Sequence, residues 1–239
     1  MHAIFYIKIN MIIKNILEYL LKKYPNENWS FKQLSTNPNL TINIIDFFSE
    51  KPWVFGYDGI SNNQYITIEF IENIIKKFPE KELYWGAGGI SSNNTITLEF
   101  IEKYKDKPWH FGKCGISSNN ALTIEMLENF PDKLWSFGDN GISSNLSLSI
   151  EMLEKFPDKP WNWESISYNK CITIEWIEKF PDKNWNWDSI SYNQNISIEW
   201  IEKFPDKNWN WSIISYFSNS IQKLIEKYPD KDWSSLIVT

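Results

Sequence analysis

Residues 157–180 read PDKPWNWESISYNKCITIEWIEKF, and residues 181–204 read PDKNWNWDSISYNQNISIEWIEKF. A looser version, PDKNWNWSIISYFSNSIQKLIEKY, follows at 205–228. Self-similarity at a fixed 24-residue period is the mark of a tandem-repeat array, in which no unit buries its apolar face alone and neighbours must stack. Outward from this stretch, the leading Trp recurs at Trp29, Trp53, Trp109, Trp135, Trp161, Trp185, Trp209 and Trp233, and Leu83 holds the slot that lacks it. Spacings between these positions are 24, 30, 26, 26, 26, 24, 24 and 24 residues.

The departures from the period are informative. The longer copies carry a segment of the type WHFGKCGIS, with glycine pairs Gly56/Gly59, Gly86/Gly89, Gly112/Gly115 and Gly138/Gly141. The 30-residue copy adds about one helical turn, IENIIKKF in place of IEKF. Ile16 to Tyr24 resembles the second half of a unit and Ser234 to Thr239 the first half, as solenoid caps do. The sequence therefore divides into an extension and cap at 1–28, one solenoid domain at 29–229 and a cap at 230–239.

Each unit reads as two short helices. In the second half, Thr173 is placed to cap Ile174 with its hydroxyl, Glu175 and Lys179 match the helix dipole, and Pro181 stops the helix. Ile174, Trp176, Ile177 and Phe180 share one broad arc, and Glu175, Glu178 and Lys179 face the other way. In the first half, Asp158 is placed to cap a helix with Pro160 in its first turn. On that helix Trp163 and Ile166 share a face, while Trp161 points elsewhere. Asn37, Asn63, Asn93, Asn119, Asn145, Asn169 and Asn193 recur at the end of this half, where Asn tolerates a left-handed helix terminus; Phe217 breaks the series. The expected fold is an all-α solenoid of about nine short helix pairs. The alternative is a leucine-rich-repeat-like α/β solenoid, because Ile172, Ile174 and Trp176 also alternate with period two; setting Asn169 on that repeat's Asn puts Glu164 at a required apolar position.

Composition narrows the function classes. The chain of 239 residues is 42% hydrophobic and 17% aromatic, enough for a large core and too apolar for a disordered chain. All 24 basic residues are Lys, and the net charge is -6, which opposes binding to nucleic-acid phosphates. Cys114 and Cys171 form neither a metal-type pair nor a disulfide framework, so a reducing compartment is expected. No signal peptide is expected at Met1 to Ile13, and no apolar run is long enough for a transmembrane helix.

The PDKPWNW, GISSNN and TIEWIEKF segments resemble the Trp- and Asn-rich tandem repeats of giant DNA viruses of the mimivirus type, over essentially Ile16 to Thr239. The Arg-free, Ile-, Asn- and Lys-rich composition agrees with an AT-rich coding sequence. The resemblance implies a viral repeat protein acting in an infected host cell, in its cytoplasm, a viral factory or the virion. It implies no enzymatic activity and supplies no catalytic residue.

No constellation stands outside the repeat, so no enzyme, cofactor or metal site is expected. Glu102, Glu128, Glu154, Glu178 and Glu202 belong to one column, with a second acidic column three residues earlier; a catalytic carboxylate pair would not be copied along a chain. An acidic stripe for docking a basic partner is the functional reading of the column. Gly86 to Gly89 lacks the Lys-Ser/Thr of a phosphate loop, and His110 and Cys114 have nothing to orient them as a nucleophile pair. The Trp column is expected to fill grooves between units, while the second aromatics, such as Trp163 and Trp187, are free to line a concave face. The variable first-half slots, His110, Asn162 and Asn186 among them, are candidate contacts for a host or viral protein. Self-assembly through half-unit ends and sugar or RNA binding by aromatic stacking are the alternatives.

Overall fold

The computed structural model describes residues 16–233. Residues 1–15 and 234–239, and with them the reading of Met1 to Ile13 and most of the 230–239 cap, lie outside the described residues. The chain divides into two compact units, Met1–Ala121 and Leu122–Thr239. Within each, all regular structure among the described residues is helical, and each copy stacks on its predecessor. The architecture is an all-α solenoid; the α/β alternative finds no strand.

The second half of every copy is an α-helix: residues 16–23, Ile42–Phe47, Ile68–Lys77, Leu98–Lys103, Ile124–Asn129, Ile150–Lys155, Ile174–Lys179, Ile198–Lys203 and Ile221–Lys227. Most have six or seven residues, too short to persist alone. Burial of a repeated apolar pair, such as Met152 and Leu153 or Trp176 and Ile177, holds them. Thr41, Thr67 and Thr97 accept a backbone N–H three residues on, as N-caps do. Thr173 occupies the cap position but makes no such bond.

The first half departs from expectation. Residues 157–162 form a turn and an extended strand-like link, so Asp158 caps nothing and Trp161 is not on a helix. The helix starts at Trp163, capped by Asn162, whose Oδ1 accepts from the Ser165 N–H at 2.8 Å. In the glycine-bearing copies even this helix is reduced to a single 3-10 turn, at Ile60–Asn62, Ile90–Ser92, Ile116–Ser118 and Ile142–Ser144. The second glycine of each pair explains why. A Cβ on Gly59, Gly89, Gly115 or Gly141 would overlap the carbonyl oxygen of Val54, Tyr84, His110 or Ser136. That same carbonyl accepts from the next residue's N–H, as in Ile60 N to Val54 O at 2.8 Å. Gly56 and Gly138, by contrast, have open space around them.

Three side-chain series join the copies. The Trp column closes each helix end: Trp185 Nε1 donates to the Phe180 carbonyl at 2.9 Å, and Trp29, Trp53, Trp109, Trp135, Trp161, Trp209 and Trp233 repeat the bond to the carbonyl five residues earlier at 2.8–3.0 Å. Helix C-termini leave carbonyls unpaired, and the indole supplies a donor. The indoles of Trp53, Trp109, Trp161, Trp185, Trp209 and Trp233 also set their edges against the second aromatic of the preceding copy, as in Trp163–Trp185 and Trp187–Trp209 with centroids 5.0 and 4.9 Å apart.

The Asn column bridges copies. Asn169 is buried with φ -71 and ψ 128, extended and not left-handed. Its Oδ1 accepts from Cys171 N at 3.0 Å, and its Nδ2 donates to the Ser143 and Asn145 carbonyls of the copy before at 3.3 and 2.8 Å. Asn63, Asn93, Asn119 and Asn193 do the same to their predecessors. In the last copy Ser218 takes this role one residue late, donating to the Ile196 carbonyl at 2.9 Å, which accommodates Phe217.

The third series is serine. Ser143, Ser167 and Ser191 are buried, each donating to a carbonyl of its own copy and accepting the first-half backbone N–H of the next, from Asn162, Asn186 and Asn210 at 2.9–3.0 Å. Ser35, Ser61 and Ser91 act alike toward Val54, Tyr84 and His110. No buried side-chain polar atom among the described residues lacks a partner, as buried polar groups require.

Candidate functional site

The acidic column lies on the second-half helices and is engaged within the array. Glu128 pairs with Lys155, Glu154 with Lys179, Glu178 with Lys203 and Glu202 with Lys227; Asp46–Lys77 and Glu72–Lys103 continue the pattern. Hydrogen bonds to Glu72, Glu154, Glu178 and Glu202 raise the pKa of Lys103, Lys179, Lys203 and Lys227 respectively. Glu102, like Glu226 at the end of the column, forms no ion pair among the described residues; in sequence register the lysine position that would face Glu102 holds Asn129. The second acidic column works locally. Glu99 and Glu125 are held below the ordinary carboxylate range by their own backbone N–H and by the Thr97 and Thr123 hydroxyls, and Glu151 by the Ser149 hydroxyl and its own N–H.

The aromatic faces are also engaged. The lysine of the Pro-Asp-Lys turn lies over the second aromatic of the preceding copy in the compact part of the array: Lys159 over Phe137 at 5.6 Å, Lys183 over Trp163 and Lys207 over Trp187 at 5.4 Å, and Lys231 over Trp211 at 5.3 Å. Rings covered by a cation on one side and packed by a neighbouring Trp edge on another do not offer free stacking platforms.

Of the variable first-half slots, Asn162 and Asn186 are N-caps whose backbone N–H is tied to the preceding copy's serine. His110 is part-buried, its Nε2 2.9 Å from the Lys113 carbonyl. The Cys114 carbonyl accepts from Gly88 N and the Ser92 hydroxyl, which ties one glycine loop to the next. The Gly86 to Gly89 segment is thus bonded within the array.

One groove stands out, with a volume of about 690 Å³. It lies where the last glycine-bearing copy meets the first compact one and takes in Asp139, Leu146, Asn162, Glu164, Tyr168 and Lys170. Asp139 and Glu164 form no ion pair among the described residues, unlike the acidic column on the other helices. Beyond Tyr168, an exposed aromatic row continues: Tyr168 and Tyr192 have centroids 5.5 Å apart, Tyr192 and Phe217 5.3 Å, and Phe217 and Tyr216 4.9 Å. Tyr168 and Tyr216 are 61% and 72% exposed, so the row faces water where the Trp column does not. Sequence reading passed over these tyrosines. Their signal was present in the SISYN segment, where Tyr follows the buried serine and so falls on the opposite side of the chain.

Among the described residues no cluster of three or more His, Cys, Asp or Glu is placed to hold a metal ion. None of the described helices is long and apolar enough to cross a membrane. Comparison with protein-family models, curated proteins and solved structures found no match.

Proposed function

We propose that the chain is a non-catalytic repeat scaffold that binds another protein, host or viral, through the first-half face of its second unit. We place its action in the cytoplasm or viral factory of a cell infected by a giant DNA virus. The observation that carries the binding reading is the groove at the junction of the two copy types. It gathers positions where the copies differ: Asp139 aligns with Tyr57, Ala87 and Lys113, and Glu164 with Asp188 and Ser212. The positions that recur in nearly every copy, the Trp, Asn and Ser columns, are engaged in joining copies. Residues that vary on a constant frame are where a repeat array can acquire specificity.

The groove has the polar-rimmed character of a recognition site. Leu146 and Tyr168 supply apolar contact, Asp139 and Glu164 supply unpaired negative charge, and Lys170 a cation. Sugar or RNA stacking draws no support from the covered Trp faces.

The test is affinity capture from infected cells with the full chain and with an Asp139→Lys/Glu164→Lys double variant. The expected result is a partner retained by the native chain and lost by the variant. Recovery of nothing above background, or of the same proteins by both, would refute the proposal.

A further inference from the structure

The array treats its aromatic rings in two ways. In the compact copies the second aromatics are covered from within by a lysine of the next copy, as Trp163 is by Lys183. The tyrosine row is exposed, and among the described residues no lysine lies over Tyr168, Tyr192 or Tyr216. These tyrosines belong to the compact copies of the second unit; the glycine-bearing copies hold Asn62, Ser92, Ser118 and Ser144 at that position. A carboxylate arrives with them. Glu164 and Tyr168 stand four residues apart on the helix Trp163–Tyr168 and so neighbour each other on one face, and Asp188 and Tyr192 repeat the spacing in the next copy. Asp188 accepts from Asn210 Nδ2 at 2.6 Å, but neither acid forms an ion pair among the described residues. The same slot in the first unit, Lys32, is paired within the array, with Asp58 at 2.8 Å.

Grooves run along this face beyond the junction. One of about 660 Å³ shares Asn162 and Glu164 with the junction groove and reaches Asn184 and Asn186 in the next copy. Another, of about 400 Å³, begins at Asp188. Across the three, the carboxylates of Asp139, Glu164, Asp188 and Asp232 are set against one cation, Lys170.

We propose that this strip binds an extended, arginine-bearing segment of the partner polypeptide, its guanidinium groups paired with Glu164 and Asp188 and laid against the Tyr168 and Tyr192 rings. The proposal rests on the scaffold reading and adds the chemistry of the docked segment. Charge complementarity selects a basic occupant, and the aromatic neighbours select arginine: a guanidinium stacks on a ring by its face while its edge donates to a carboxylate. The basic partner that the sequence suggests for the glutamate column is thereby moved to carboxylates that the array leaves without lysines.

The test uses the isolated full chain with ring-labelled tyrosine and the peptide acetyl-(Arg-Gly)3-amide, followed by NMR. Saturable shifts of Tyr168 and Tyr192 are expected, with Kd on the order of 1 mM for so short a peptide, weakening as salt is raised. Tyr216, beside Ser212 in place of an acid, should shift less, and Tyr57 and Tyr65 of the first unit should not shift. The citrulline peptide, neutral and of the same shape, should bind about tenfold or more weakly. Glu164→Gln/Asp188→Asn should lower affinity by a similar factor, and Tyr168→Ser, which installs the residue of the glycine-bearing copies, by about three- to fivefold. Absence of shifts at Tyr168 and Tyr192, equal binding of the citrulline peptide, or affinity unchanged in both variants overturns the proposal. Peptide binding without capture of any partner from infected cells counts against the scaffold reading alone, whereas capture without peptide binding counts against the arginine-bearing segment alone.

Discussion

Replacement of Asn169 by Ala removes three hydrogen bonds at one buried point. The Cys171 N–H and the Ser143 carbonyl lose the partner each has among the described residues, while the Asn145 carbonyl keeps a bond from Leu148 N at 3.1 Å. Leaving a buried polar group unpaired costs about 1–3 kcal/mol. The Ser143 bond is long at 3.3 Å, so its share falls at the low end, and the sum is about 2–4 kcal/mol. That is a large part of the ~5–15 kcal/mol available to a folded domain. Asn169→Asp should do no better near neutral pH: it restores an acceptor for Cys171 N but turns a carboxylate toward two carbonyls. Asn184→Ala, at an exposed site, is the control and should change stability by less than about 0.5 kcal/mol. Urea denaturation measures the difference, and hydrogen exchange should show lost protection centred on the Cys171 amide and the copies either side. If Asn169→Ala and Asn184→Ala unfold alike, the Asn column does not hold the copies together and the account given of it is wrong.

Other outcomes follow from the same geometry. Gly115→Ala should destabilise by about 1–3 kcal/mol through overpacking against the His110 carbonyl, whereas Gly138→Ala should be neutral or stabilise by about 0.4–1 kcal/mol; thermal unfolding of the pair separates a steric need from a merely repeated glycine. Trp161→Phe keeps a ring against Phe137 but removes the N–H from the Phe156 carbonyl, a loss of about 1–2 kcal/mol readable by urea denaturation. Glu99, Glu125 and Glu151 have folded-state pKa values below the ordinary 4.5. Their contribution is complete above that value and disappears as pH falls through the lower folded values. Tm measured from pH 7 down to acid should drop in that window, and Glu151→Gln should make the drop shallower.

The second-half helices were legible because three independent signals coincide in nine residues, as from Thr173 to Pro181: a Thr or Ser cap position, an apolar arc and a closing proline. The first half was misread at Asp158 because Pro-Asp-Lys before an apolar residue is also how a helix begins. What decides against a helix there is the indole of Trp161, bonded back to Phe156, and a bond to a residue five positions earlier leaves no trace in periodicity. Asn169 was assigned a backbone role for a similar reason. Its side chain reaches the copy before, and a single repeat does not reveal which copy a polar residue serves. The buried serines were overlooked because Ser in a polar segment reads as surface; only their invariance at Ser143, Ser167 and Ser191 marked them. The variable slots were located by comparing copies, yet the groove that unites Asp139 with Glu164 depends on how two copy types meet.

The backward reach of these bonds bears on how such a chain changes length. Copy 181–204 offers the next copy a serine hydroxyl, a tryptophan face, a carbonyl and a carboxylate, through Ser191, Trp187, Ile196 and Glu202. Copy 157–180 offers the same groups at Ser167, Trp163, Ile172 and Glu178. Excision of residues 181–204 would therefore bring Asn210, Trp209 and Lys227 onto an equivalent seam, with every donor meeting an acceptor. Slippage or unequal recombination in whole copies becomes a permitted edit, and one that does not shift the reading frame. The array can be lengthened or trimmed at its compact end while the junction holding Asp139 and Glu164 is carried along intact.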